Sequence, residues 1–345
     1  MVAGYSTQVA RLVVFCSVNT FLTDIPFLVV ALGTIIKTSN CILNESKLKG
    51  LLSTISEDWL TLKSKAEFKI MLKYGKRGYL IAILYMMHMT VSTTLFSTMP
   101  FVSPLLDIIL PLNKSREPMY SYPAYYGVDN EKYHFVIVAH MTAILFFTNV
   151  LYCACDMNYV YVVQHACSLL AITGHRFKCA CYDHHTCNKM KMRRIYRNVC
   201  DSIRTHQHAL NYVNQVGSAY DISLFVSMGL LLGSITLSIL MVTNSELGMM
   251  WFIYNVFLLT QLLHVFFLVV QGQFVINSED NLYKTIGEAT WYNATNETKT
   301  LYVLALRRSL TPPLLTAGGF VKLDLKTFTE IIRASVSYYT VMKSK

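Results

Sequence analysis

Charge is what this 345-residue chain has least of. Asp, Glu, Lys and Arg make up 14% of it, against roughly 25% in a soluble domain, and the shortage runs through most of its length. That pattern excludes a soluble enzyme held by a single anchor. Intrinsic disorder is excluded as well, because 12% aromatic residues, with 22 tyrosines among them, leave too much to bury. The chain also lacks an H-E-x-x-H helix, a Walker loop and a G-x-S-x-G elbow, so it is expected to be no enzyme and to need no cofactor. Internal repeats, low-complexity tracts and a cleavable signal sequence are likewise not evident.

What the chain does have is apolar length: 53% hydrophobic residues and a mean hydropathy of +0.39. A spanning helix needs about 20 mostly apolar residues. Candidates fall near 22–43, 78–108, 134–174, 219–243 and 249–276, with a broken one over 299–343. The fold class expected is therefore all-α and polytopic. Val9 to Cys16 is apolar but short and interrupted by Arg11, and Asp24 and Pro26 reset the pattern before the first clear span.

The net charge of +10 could suggest nucleic acid in a soluble protein. Here it suggests loops retained on the cytoplasmic side, and no nucleic-acid partner is expected. Segments 44–77 and 176–204 hold eight Lys or Arg each, whereas 109–133 holds three and 244–248 none. The basic segments should face the cytoplasm, leaving the C-terminus outside. Segment 134–174 would reach about 60 Å as one helix at 1.5 Å per residue, twice the roughly 30 Å of a bilayer core. Its later half carries Asp156, Asn158, Gln164 and His165, so it should project into the cytoplasm and build a helical layer there with 189–216.

Few polar residues suggest chemistry. Cys179, Cys181, His184, His185 and Cys187, with His175 nearby, contain a C-x-C pair without a second pair downstream. Structural zinc prefers C-x2–4-C pairs, so a reduced cytoplasmic loop is the better reading and no metal is expected. Asp156 could be a proton-relay group, but no charge at matching depth offers itself as a partner, which favours a packing role. His88 and His140 lie within apolar helices, where an isolated histidine usually serves packing. Met86, Met87 and Met89 beside Tyr85 suit either a soft ligand pocket or plain core filling. Of four N-x-S/T sequons, only Asn113 falls in an expected outer loop, while Asn44, Asn293 and Asn296 should stay unmodified.

Two stretches carry a resemblance. Leu110 to Arg116 (LPLNKSR), followed by Tyr122-Pro123-Ala124-Tyr125-Tyr126, resembles the second outer loop of insect odorant receptors. The C-terminal run is closer still: Ile286-Gly287-Glu288-Ala289-Thr290-Trp291-Tyr292, Leu306-Arg307-Arg308-Ser309, Leu315-Thr316-Ala317-Gly318, Leu325-Lys326-Thr327-Phe328 and Ser335 to Val341 (SVSYYTV). The resemblance extends through Lys47–Trp59 and the helix around Asp156 and His165. It implies a seven-helix fold with the C-terminus outside and the first helix missing or abbreviated here. Residues 1–21 would be a remnant of that helix or of the first outer loop. Residues 22–276 would hold family helices 2–6 with cytoplasmic extensions at 44–77 and 160–216, and 277–345 an anchor segment and the pore-lining last helix.

The same resemblance implies an odorant-binding subunit of a ligand-gated, non-selective cation channel in the plasma membrane of olfactory neurons. It would assemble as a heterotetramer with the odorant co-receptor. The co-receptor itself is excluded by its long insertion, which this chain lacks. Val269 and Val270 stand where the family usually has a cysteine before Gly272. A small, volatile, apolar ligand should bind among His88, Val91, Ser92, Leu95, Phe146, Asn149, Tyr254 and Leu258, chosen by depth and helical spacing. Ser337, Val341 and Lys345 share one face of the last helix and are expected at the pore, with Val341 at a hydrophobic gate. A gustatory-receptor-like channel would share the architecture but not the terminal signature. A G-protein-coupled receptor would need the opposite orientation and an outer-loop disulfide.

Overall fold

The computed structural model describes residues 2–110, 116, 118–181 and 189–344. Ten α-helices are laid down in order among these residues: α1 (Val2–Val14), α2 (Val18–Leu43), α3 (Glu45–Leu60), α4 (Lys65–Thr98), α5 (Val102–Ile109), α6 (His134–Ala180), α7 (Lys189–Asn244), α8 (Met249–Gly287), α9 (Asn296–Ser309) and α10 (Leu325–Lys343). Between α9 and α10 lies a hairpin of two short strands, β1 (Thr316–Ala317) and β2 (Val321–Lys322), with Thr316 opposite Lys322. Five helical stretches, beginning at Thr20, Lys65, His134, Lys189 and Met249, are long and apolar enough to cross a membrane. α10, the helix where the sequence leads one to expect a sixth crossing, has 19 less apolar residues and is not among these five.

Length sorts the bundle into two zones. At 1.5 Å per residue, the 47 residues of α6 reach about 70 Å and the 56 residues of α7 about 84 Å, well over twice a bilayer core. Their surplus stands at the end carrying the basic segments 44–77 and 176–204, where α3, α9 and the end of α8 pack around them. The tightest core is in this basal zone: Val162, Val163, Leu170, Phe177, Val199, Val216, Ile286 and Tyr302 are all under 1% exposed. Across the apolar zone the outward faces instead show Leu84, Val91, Phe135, Phe146, Phe147 and Ile222, which suits contact with lipid.

Polar clamps tie the basal helices. Ser64 caps α4 by accepting from the Glu67 N–H at 3.2 Å, as expected of an S-x-x-E start. The Glu67 carboxylate in turn accepts from Arg176 Nε at 2.8 Å and from the Lys63 N–H at 2.7 Å, joining α4 to α6. Asp58 of α3 bonds His165 of α6 at 2.8 Å and His208 of α7 at 2.9 Å. Burial alone would raise its pKa, but these two histidines outweigh burial and hold the carboxyl below the ordinary carboxylate range. Fully buried Tyr302 donates from α9 to the Phe177 carbonyl at 2.7 Å. No group of three or more metal-ligating side chains occurs among the described residues; Cys179 lies near His175, while His184, His185 and Cys187 fall outside them.

At the opposite end α1 folds back over the bundle. The Tyr125 N–H donates to the Thr7 carbonyl at 2.9 Å, and Arg11 pairs with buried Asp24 at 3.3 Å. The two charges that interrupt the apolar pattern near the front are thus one ion pair between α1 and α2, and Pro26 lies inside α2 without ending it.

Candidate functional site

In the half of the apolar zone nearest α1, the helices α2, α4, α6, α7 and α8 part to leave a cavity of about 140 Å³. Its wall is mainly hydrocarbon and aromatic. Phe27 of α2 stacks on Phe257 of α8 at 4.9 Å, and Phe96 of α4 meets both edge-on at 6.3 and 5.9 Å. Val30, Ala31, Met89, Ile144, Leu145 and Leu231 extend this surface, and Tyr5, Gln8, Ser121 and Tyr122 close it from α1 and the α5–α6 connection. An apolar cavity of this size stays dry and accepts a benzene-sized molecule in a well-studied case.

Beneath this space lies a buried polar network. Lys37 of α2 bonds the Asp156 carboxylate of α6. Tyr85 of α4 donates to the other Asp156 oxygen at 2.6 Å and lies 2.9 Å from His264 Nδ1. On the cavity side, Tyr152 Oη is 3.1 Å from His264 Nε2, and the Lys37 ammonium sits 4.3 Å from the Tyr152 ring centre. All five side chains are at most 8% exposed. The expectation that Asp156 has no charged partner is thereby corrected: Lys37, near the end of the first clear span, reaches it because α2 and α6 run parallel.

Of the residues nominated from sequence for the ligand, Ser92 lines the cavity, its hydroxyl 3.0 Å from that of Thr260. Val91, Leu95 and Phe146 instead point outward at 58, 37 and 60% exposure. Asn149 is buried and accepts from the Cys153 thiol at 3.5 Å, while His88, Tyr254 and Leu258 are half-buried beside the cavity, outside its lining. The miss has a regular form. Leu95, Asn149 and Leu258 each neighbour a lining residue, namely Phe96, Thr148 and Phe257, and one position turns a helix by 100°. Depth was readable in the sequence; helix rotation was not, because both faces are apolar. Phe27, Thr148, Tyr152 and His264 were missed, although Lys37 inside an apolar run was itself a signal.

The last helix starts where Asp324 accepts from the Thr327 N–H at 2.8 Å. The break at Pro312 and Pro313 is filled by the hairpin, whose Gly318 and Gly319 take φ of 68° and 77°. Asp221 of α7 holds the hairpin by accepting from the Thr316 hydroxyl at 3.0 Å and the Gly319 N–H at 2.9 Å. One side of α10 packs on α7 and α8, with Ser335 buried and Phe328 5.5 Å from Phe266. The other side, with Val336, Ser337, Tyr338 and Val341, is open. Lys345 and Asn113 lie outside the described residues.

The family model described as 7tm Odorant receptor matches residues 17–336. The chain belongs to the odorant receptor family. Similar curated proteins include Odorant receptor 67c of Drosophila melanogaster, 21% identical over 189 residues (55% of this chain and 45% of that protein). Odorant receptor 33a of the same species is 22% identical over 151 residues, 43% of this chain and 39% of that protein. These matches span less than half the length of either relative. The fold is that of the insect olfactory receptor OR5 from Machilis hrabei. The structure of OR5 in complex with eugenol superposes with a TM-score of 0.81 at 14% identity, covering 99% of this receptor and 86% of OR5. A second structure of OR5 gives a TM-score of 0.70 at 14% identity, covering 98% of this chain and 85% of OR5. This is the seven-helix odorant receptor fold expected from the terminal signature, in a receptor family rather than an enzyme family.

Proposed function

We propose that the receptor is the odorant-binding subunit of a ligand-gated, non-selective cation channel, assembled with the odorant co-receptor as a heterotetramer in the plasma membrane of an olfactory neuron. The observation that carries this reading is the cavity: a mostly apolar chamber, walled by five membrane helices, with a few polar groups, fits a small volatile apolar molecule. The basic end of the bundle is cytoplasmic, so the chamber lies in the outer half of the membrane.

The cavity wall also reaches the last helix. Leu231 lines the chamber, and the carbonyl of the next residue, Leu232, accepts from Ser335 of α10 at 3.5 Å. A ligand that fits one arrangement of α7 and α8 better than another would therefore bias α10, by no more than its differential affinity for the two states. The open side of α10 bears Ser337 and Val341, and a ring of such valines from several subunits would close a pore by dewetting; Lys345 would follow just outside it.

Whole-cell recording with an odorant panel tests the reading. Odorant-evoked cation current is expected when the receptor and co-receptor are expressed together, and none when the receptor is expressed alone. Robust current from the receptor alone, in cells shown to lack the co-receptor, would refute the heteromeric channel.

A further inference from the structure

The chamber keeps four polar atoms without a protein partner: Gln8 Oε1, Ser121 Oγ, Tyr122 Oη and Thr148 Oγ1. Their side chains come from α1, the α5–α6 connection and α6, all line the cavity, and they are 6, 3, 3 and 8% exposed. Several other polar groups on the wall are engaged. Ser92 pairs with Thr260, Gln261 donates to Ser234 at 2.7 Å, and Tyr152 and His264 belong to the network below. Unused hydrogen-bonding capacity is therefore gathered toward α1, with Thr148 one turn above Tyr152, while the aromatic cluster faces it from α2, α4 and α8.

Buried polar groups in folded proteins are nearly always paired, and an unpaired one is costly. Four in one apolar chamber therefore point to an occupant. The chemistry of the four groups narrows it. The Gln8 carbonyl can only accept, whereas the Ser121, Tyr122 and Thr148 hydroxyls can donate or accept. A ligand hydroxyl satisfies both kinds at once, giving its proton to Gln8 Oε1 and accepting from one of the three side-chain hydroxyls. A ketone, aldehyde or ether accepts only and leaves the Gln8 oxygen unpaired. A hydrocarbon leaves all four.

We infer that the chamber selects small alcohols and phenols over carbonyl compounds and hydrocarbons of the same skeleton, with the hydroxyl toward α1 and the hydrocarbon body against Phe27, Phe96 and Phe257. This rests on the reading of the chamber as the odorant site and adds the chemical class of the ligand.

The test uses the purified chain in nanodiscs and matched probes: benzyl alcohol, benzaldehyde and toluene, then six- to ten-carbon alcohols with their ketones and alkanes. Binding is read by ligand-induced thermal shift. Alcohols should bind about tenfold tighter than their counterparts, the size expected for one rescued buried hydrogen bond. Thr148→Val, which keeps the shape, and Gln8→Leu should each shrink that preference. Equal binding of alcohol and hydrocarbon would mean that water serves these groups and would overturn the proposal. So would an alcohol preference that survives both substitutions, or no alcohol binding anywhere in the series. Because the ligand series needs only the unaltered chain, a variant that fails to fold leaves the test standing. Selective alcohol binding without current from the co-expressed channel would count against the channel reading alone.

Discussion

Lys37 and Asp156 illustrate how much a single side chain decides in an apolar bundle. A buried charge stripped of its partner costs far more than the pair contributes, because desolvation is no longer offset. Here the pair also fixes Tyr85, and through it His264 and Tyr152 at the cavity floor. Lys37→Met or Asp156→Leu alone should each destabilise the purified receptor by about 3–5 kcal/mol. The double substitution should recover most of that loss, since it leaves hydrocarbon facing hydrocarbon. Thermal unfolding of the four proteins in one detergent measures the cycle. A double variant as unstable as the worse single one would show that the charges do not compensate each other.

Elements are set against each other by close approach as much as by side chains. Gly272 in α8 lies under the segment that leads into α10, and a Cβ there would fall 2.0 Å from the Leu323 carbonyl oxygen and 2.4 Å from Leu323 Cβ. Backbone cannot yield as a flexible side chain can, and Leu323 is tied to the Leu315 carbonyl at 3.0 Å. Gly272→Ala should therefore lift the hairpin from α8, with a cost of at least the roughly 1–3 kcal/mol typical of overpacking. Gly33→Ala is the matched control, because its Cβ would meet Tyr152 at an ordinary 3.4 Å. A lowered melting temperature and new protease cleavage within 311–324 should appear in the first variant and be absent from the second. Wild-type behaviour of Gly272→Ala would mean that the close approach is not required.

At the scale of the whole molecule, the fold sorts the sequons by end. Asn44 joins α2 to α3, while Asn293 and Asn296 flank the start of α9, so these three share the basic end. The described residues 118–133 of the α5–α6 connection lie at the other end, and Asn113 belongs to that connection by sequence. One orientation in a membrane can therefore expose either Asn113 or the other three. With eight basic residues in each of 44–77 and 176–204, the basic end should be cytoplasmic. A glycosidase-sensitive mobility shift should vanish with Asn113→Gln and persist when Asn44, Asn293 and Asn296 are replaced together. The reverse result would invert the receptor in the membrane.

Composition and pattern by themselves determined that this chain is a helical membrane protein, where its long apolar runs lie, and that 134–174 must overshoot the bilayer. Hydropathy is summed along the chain, so these properties survive without contacts. The terminal signature likewise carried the family, since its order and spacing are linear features. Tertiary structure alone decided which face of each helix looks inward. In a soluble helix the polar face gives the rotation away, but lipid and core are equally apolar, and the sequence offers no such asymmetry around Leu95, Asn149 or Leu258. Only packing could turn Phe96, Thr148 and Phe257 toward one chamber, bring Lys37 to Asp156 across 119 residues, and close Arg11 on Asp24. Each of those pairings depends on which helices are neighbours, and neighbourhood is a property of the folded bundle.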